Sequence, residues 1–311
     1  MLDLPQRPQT LHRLILFLGL SILSARPSCA QDDGARLYMM VPDKTTIASI
    51  RLHQMRSNLA VDPGNVAEGG KLDTTLTVFQ FVQALNFGGG QSFVFLVIPA
   101  SHIEANADVQ SKSIDGLGDA QLGFVFGVHG TPALSAKDYA EHRPGLAVNL
   151  LGKLFFPTGA YSAERSINIG ANRWAVRLGA PIVYAIGDRM ADPKLTTIEL
   201  LPTITFFGAN DDPYGAERTK QKPLFILEGH VTRGLSRTVW ASIDLLWREG
   251  GEIKMDGSDA GNAQSALSLG GTGTFAIGSN MSLRLSGGGV VARNEHGPNG
   301  WLFRTIFGAV F

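Results

Sequence analysis

The chain has 311 residues in which 27 Lys and Arg balance 27 Asp and Glu, a formal net charge of zero that argues against a nucleic-acid surface or a polybasic membrane patch. Its single cysteine, Cys29, falls in a segment expected to be removed, so no disulfide or thiolate metal site is expected. With 37 glycines and only 17% charged residues, the composition suits a sheet protein with many tight turns, and no linker or low-complexity tract divides it.

Arg7, His12 and Arg13 precede a compact apolar run, Leu14 to Leu23, and then small residues at Ser28-Cys29-Ala30. This pattern predicts a signal peptide over residues 1–30, cleaved after Ala30. The apolar run is too short to span a bilayer as a helix. Arg26 and Pro27 occupy positions where a lipobox needs small or apolar residues, which argues against lipidation at Cys29. Residues 31–44 show no sustained periodicity and are expected to be an irregular periplasmic or lumenal segment, followed by a barrel over residues 45–311.

Strands follow from alternation, since neighbouring side chains of a strand point to opposite faces. Thr45–Asn58 sets Ile50 and Leu52 against Arg51 and His53. Residues 61–71 read as a loop. Thr74 to Ile103 lacks Lys, Arg, Asp and Glu and is long enough for a membrane helix. Gly88-Gly89-Gly90 would break that helix, so the expectation is a hairpin, Leu72–Asn86 and Gln91–Ile103. Further strands are expected at Asp119–His129, Gly145–Pro157, Ala171–Gly187, Leu195–Gly208, Lys222–Thr232, Arg237–Glu249, Ala263–Ile277 and Asn280–Arg293. Trp301–Phe311 closes the series with an aromatic face and a C-terminal Phe.

That makes twelve, an even number as in bacterial single-chain barrels. Short connections at Gly88–Gly90, Gly234–Ser236 and Gly278–Asn280 alternate with long ones at 104–118, 158–170, 209–221 and 250–262. Such alternation is expected of periplasmic turns and outer loops. Thr131–Pro144 is long where a turn is expected, with a short helix possible over Ser135–Glu141. A soluble β-sandwich is the competing reading. It is disfavoured because aromatics placed like a membrane girdle, Trp174, Phe206, Phe225, Trp247, Trp301 and Phe311, suit a barrel wall.

A Lys or Arg facing mid-bilayer lipid costs roughly 2–4 kcal/mol. The charged face must therefore line the lumen: Arg51, His53, Lys153, Arg173, Arg177, Glu199, Glu228, His230, Asp244, Arg248, Arg284 and Arg304. These residues can orient a solute or merely stabilise a narrow interior by charge pairing. Glu228 and His230 are expected near Asp244 and Arg248. Ser242, His230 and Asp244 hold the atoms of a hydrolytic triad but lack a nucleophile-elbow pattern. Asp211, Asp212, Asp256 and Asp259 lie in expected outer loops without EF-hand spacing, and turn formation accounts for them. No phosphate loop, zinc pattern or dinucleotide fingerprint is seen, so no catalytic site, metal or cofactor is expected.

Asn168-Ile169-Gly170-Ala171-Asn172-Arg173-Trp174, Gln221-Lys222-Pro223-Leu224, Trp240-Ala241-Ser242-Ile243-Asp244 and Glu249-Gly250-Gly251 resemble the outer-membrane transporter family labelled phenol meta-pathway degradation proteins. The resemblance spans about Thr45 to Phe311. It implies an up-and-down β-barrel in the outer membrane of a Gram-negative bacterium, passing small hydrophobic or aromatic compounds passively, and carries over no catalytic residue. The expected partners are outer-membrane lipids and lipopolysaccharide, the barrel-assembly machinery reading the last strand at Phe311, and a small-molecule solute. The alternatives are a closed-lumen structural or surface-binding barrel and, further off, a barrel lipid hydrolase.

Overall fold

The computed structural model describes residues 32–59, 66, 71–107 and 110–311. The expected signal peptide, Gln31 and most of the 61–71 loop lie outside the described residues. Strands β1 (Thr46–Ser57), β2 (Leu72–Phe87), β3 (Gly90–Ala107), β4 (Gln110–Leu117) and β5 (Gln121–His129) precede a short helix, α1 (Ala136–Glu141). Then come β6 (Leu146–Phe155), β7 (Ala175–Gly179), β8 (Ile182–Ile186), β9 (Thr196–Phe207), β10 (Thr219–Gln221) and β11 (Leu224–Gly234). The chain ends with β12 (Val239–Gly250), β13 (Ile253–Met255), β14 (Ser258–Asp259), β15 (Gln264–Ile277), β16 (Met281–Arg293) and β17 (Gly300–Val310).

Antiparallel neighbours run around a closed ring, sealed where β1 pairs β17 and where β11 pairs β9. Among the described residues the wall is a 12-strand barrel, because β4 with β5, and β7 with β8, each fill one wall position. The remaining short strands, β10, β13 and β14, form a separate sheet in the long loops. One rim carries the short turns and both ends of the wall; the other carries the long loops.

The outer skin is apolar. Ile50, Leu52, Phe79, Phe81, Leu96, Leu122, Phe124, Leu150, Leu178, Leu200, Ile243 and Phe303 are all exposed on it. The opposite face of the same strands buries Arg51, Gln80, Asn149, Lys153, Arg177, Glu228, Asp244 and Arg304. Outward charges such as Arg56, Glu249 and Arg233 lie towards strand ends. In water this arrangement would be inverted; in a bilayer it satisfies both the lipid and the backbone, since a closed barrel leaves no unpaired edge.

Three local departures from the expected elements have physical causes. Ala171–Gly187 is broken into β7 and β8 at Ala180-Pro181, because proline has no N–H for the ladder. The carbonyl of Pro181 still accepts from Asn149 at 2.9 Å. Two residues are spent in the break, so the faces keep their alternation and Leu178 and Tyr184 both stay outside.

The expected loop 104–118 is largely strand: β3 and β4 pair past the wall. Ile103 faces Ile114 and packs with Leu72 and Ile169, while His102 and Asp115, 2.7 Å apart, pair outside. Charged residues on the solvent side masked the alternation there. The hairpin turn uses Gly88 and Gly89 alone, both at positive φ (61 and 85), the geometry a two-residue type I′ turn requires. Gly90 already belongs to β3.

The long 131–144 connection lies at the turn rim and extends the β2–β3 turn, with Gln91 N–H donating to Thr131 O at 2.7 Å and Ala133 N–H to Gly89 O at 3.0 Å. Its helix α1 is N-capped by Ser135, whose hydroxyl accepts from the Asp138 N–H.

Candidate functional site: a plugged lumen

The lumen is occupied by residues 32–44 of the chain itself. Residues 32–44 enter at the turn rim, where Asp43 N–H donates to Leu134 O at 2.7 Å, and run inward to Asp32. The irregular sequence suits this role, since a segment that must bond to a wall of fixed side chains cannot spend its backbone on a ladder. Gly34 (φ 104) and Arg36 (φ 58) take left-handed conformations that curl the backbone so successive N–H groups converge.

Those N–H groups find wall carboxylates. Glu228, on β11, accepts from Asp32 at 3.2 Å, Asp33 at 3.0 Å and Gly34 at 2.9 Å. Glu199, on neighbouring β9, accepts from the Arg36 N–H at 2.7 Å. Arg36 then donates from Nε to Thr232 Oγ1 at 2.8 Å and from Nη2 to Leu195 O at 3.0 Å. Its guanidinium and that of Arg284 lie 4.8 and 4.9 Å from the Trp240 ring centre, within cation–π range.

Wall cations in turn hold the plug's acceptors. Lys153 Nζ reaches Asp33 Oδ1 at 3.0 Å, and Arg177 pairs with Asp32. Arg284 donates to Ala35 O at 2.7 Å and Arg304 to Asp32 O at 3.1 Å. Tyr38 donates to Asp33 Oδ2 at 2.8 Å while its ring packs with Phe93, Phe95, Val125, Leu151 and Leu201. Nearer the rim, Gln91 receives the Val41 N–H at 2.9 Å and donates to Val41 O.

Burial raises the Asp33 carboxyl, but the charges of Lys153 and Arg177 and the Tyr38 hydroxyl outweigh it and hold the group well below the usual carboxylate range. It is therefore a fixed anion.

The twelve candidate lumen residues are all buried or half-buried on the inward side. Lys153, Arg177, Glu199, Glu228, Arg284 and Arg304 touch the plug directly. His230 and Asp244 form a buried pair at 2.7 Å, and Glu228 lies 3.3 Å from His230. Arg248 reaches Gln264 at 3.5 Å. Arg173 lies towards the loop rim, donating to Gln221 at 2.5 Å and stacking 4.6 Å from the Phe207 ring centre. The girdle candidates Trp174, Phe206, Phe225, Trp247 and Trp301 sit towards the loop rim, with Phe225 and Trp247 edge-on at 5.5 Å; Phe311, 74% exposed, is at the opposite rim.

The triad atoms meet without triad geometry. Ser242 Oγ donates to Asp244 Oδ1 at 2.7 Å, the same oxygen that His230 Nδ1 contacts, and Thr272 donates to the other carboxylate oxygen at 2.8 Å. A nucleophilic serine must give its proton to histidine; this one is tied to the aspartate. The loop aspartates are engaged locally: Asp211 with Arg218 at 2.7 Å, Asp259 with Lys222 and Lys254, and Asp256 with the Glu217 and Arg218 N–H groups. Among the described residues no acidic or histidine cluster has the geometry to hold a metal ion.

On the loop-rim side of the plug lies a cavity of about 160 Å³ whose floor is Asp32 and Asp33. A second, of about 40 Å³, shares Pro99, Gln121 and Phe155 with it and is walled by Ile169 of the 158–170 loop. This loop is tied across the mouth by Tyr161 to Asp212 O at 2.8 Å and by Asn210 to Tyr161 at 2.9 Å.

Sequence reasoning missed Asp32, Asp33, Arg36, Tyr38, Gln91 and Trp240. One signal was available: cations outnumber anions among the inward residues, and an enclosed excess of charge calls for an acidic partner. Asp32-Asp33 is an adjacent acidic pair ahead of the first strand.

A sealed antiparallel ring with an apolar skin and an ionised interior defines a barrel of the bacterial outer membrane. Residues 57–303 match the model of the family described as "Putative MetA-pathway of phenol degradation", and the chain belongs to that family. The fold is similar to an outer-membrane channel from Pseudomonas putida F1, with a TM-score of 0.75 at 19% identity over 90% of this chain and 100% of that one. It is also similar to the β domain of a Bordetella autotransporter (TM-score 0.51, 11% identity, 86% and 100% covered). The translocator domain of a Neisseria meningitidis autotransporter is comparable (TM-score 0.50, 11% identity, 96% of each chain). No curated protein matches the sequence at a significant level.

Proposed function

We propose that this protein is an outer-membrane channel for passive entry of small, hydrophobic or aromatic compounds, gated by residues 32–44. The observation that carries this reading is the kind of blockage: the lumen is stopped by a noncovalent segment held through ion pairs and hydrogen bonds, not by wall side chains meeting across it. Such contacts are reversible, and leaving them opens a polar bore between the two rims. Family membership and the amphipathic lining of the loop-rim cavity support the solute class. The turn rim faces the periplasm and the loop rim the lipopolysaccharide; Trp174, Phe206, Phe225, Trp247 and Trp301 mark the outer interface, and Phe311 presents the last strand to the assembly machinery.

Single-channel recording of the refolded protein, with and without residues 32–40, tests the proposal. The intact chain is expected to conduct rarely and in brief openings, and the shortened chain to conduct steadily. A shortened barrel that passes neither ions nor solute rejects it. That result would favour the second reading, a closed structural barrel, for which the filled lumen is the supporting observation.

A further inference from the structure

We infer that the cationic cluster at the tip of the plug is a binding site for a small apolar monocarboxylate, and that Asp32 and Asp33 occupy it as internal substitutes for that carboxylate. This names the solute of the channel proposed above and rests on that reading for its physiological meaning, though binding itself needs no transport.

Lys153 and Arg177 are 5% and 2% exposed, and the carboxylates they meet belong to the plug. When the plug withdraws, the two cations lose their counter-ions, and a neutral solute restores neither ion pair. A carboxylate replaces both ion pairs. A third cation is poised there: Arg51, 8% exposed, lines the same cavity, and its Nε has no hydrogen-bond partner among the described residues; nor has His53 Nε2 beside it. Polar nitrogens buried in a cavity wall without a partner are costly unless a ligand meets them, and the Arg51 Nε–H is a donor in any state.

Beyond the cations the lining is mixed, with Gln80, Gln121 and Arg248 beside an apolar stretch. Leu76, Val78, Phe155 and Leu302 make up that stretch, and the Phe155 ring centre lies 5.6 Å from the Arg177 guanidinium. Its volume of about 160 Å³ is similar to that of cavities known to admit a benzene ring, roughly 150 Å³. An apolar stretch with cations at the floor fits an aromatic acid entering ring-outward.

The test is calorimetric titration of the purified full-length protein in detergent, at fixed chloride, with benzoate and with its neutral counterpart benzyl alcohol. Benzoate is expected to bind at least about tenfold more tightly, the value of a charge-assisted pair. Asp32→Asn with Asp33→Asn weakens the internal competitor and should tighten benzoate roughly tenfold further. Lys153→Met with Arg177→Gln should erase the preference for benzoate over benzyl alcohol. The aspartates lie outside the wall strands, so their variant keeps the ring, checked by heat-modifiable gel mobility. Equal affinity for the two probes, or an asparagine variant that binds benzoate no better than the parent, overturns the site. Absent flux in vesicles with benzoate binding retained would overturn the channel and spare the site.

Discussion

One carboxylate, Glu228, receives three consecutive backbone N–H groups of the plug, and a glutamine there offers a single acceptor oxygen and no charge. Glu228→Gln is expected to weaken seating by about 1–3 kcal/mol. Hydrogen exchange should show this as a loss of protection of about fivefold or more at the amides of 33–36, with the wall strands unaffected. Asp33 adds a pH signature. Its carboxyl is depressed when seated and ordinary, near 3.8, when free. The free segment therefore takes up a proton first on acidification. The stabilisation due to this group is complete above about pH 4 and is lost as pH falls further. Plug protection in the parent relative to Asp33→Asn should be constant from pH 8 to 5 and narrow below 3.8. A difference that shrank between pH 8 and 6 would contradict the assignment.

At the scale of elements, the tightest turn makes the sharpest prediction. Gly88 and Gly89 both need positive φ, which an L side chain adopts at a cost of roughly 1–2 kcal/mol per residue. Gly89→Ala should lower the urea midpoint for unfolding from vesicles by an amount corresponding to about 1 kcal/mol. Gly90→Ala, already in a strand, should have a smaller effect. Most elements were legible because one side of the wall meets lipid: alternation of Ile50, Leu52 against Arg51, His53, or of Trp174, Val176 against Arg173, Arg177, is a two-residue signal with a large energy behind it. The β3–β4 extension was not, since its outer face carries His102 and Asp115 in water, where apolar and polar side chains are both tolerated. The plug was illegible for a different reason. Its partners are scattered over β3, β6, β7, β9, β11, β16 and β17, and beyond the acidic pair Asp32-Asp33 no local pattern in residues 32–44 encodes contacts that distant in sequence.

For the molecule as a whole, ring and plug are separable in energetic terms. The ring is held by a continuous ladder closed at β1–β17, whereas the plug joins no ladder and is held by ion pairs and by hydrogen bonds between its backbone and wall side chains. Removing residues 32–40 should leave the barrel folded, with retained heat-modifiable mobility, while raising conductance. A shortened chain that no longer folds would make the segment part of the scaffold. The lumen residues read from the sequence converge in space because alternation places every second side chain inside; which of them meet the plug could not be foreseen without knowing that it is there.

Continuity between Lys44 and β1 has a further implication. The 13 residues of the segment are anchored at the wall and can extend roughly 3.3–3.6 Å each, so Asp32 can swing clear of the bore yet never diffuse away. A tethered group of this length experiences a local concentration on the order of millimolar at its own pocket. Any solute that must displace it competes with that standing concentration, so the bore proposed above is expected to stay occupied in dilute surroundings and to yield only as external solute accumulates, at a threshold that tether length and the plug's contacts set together.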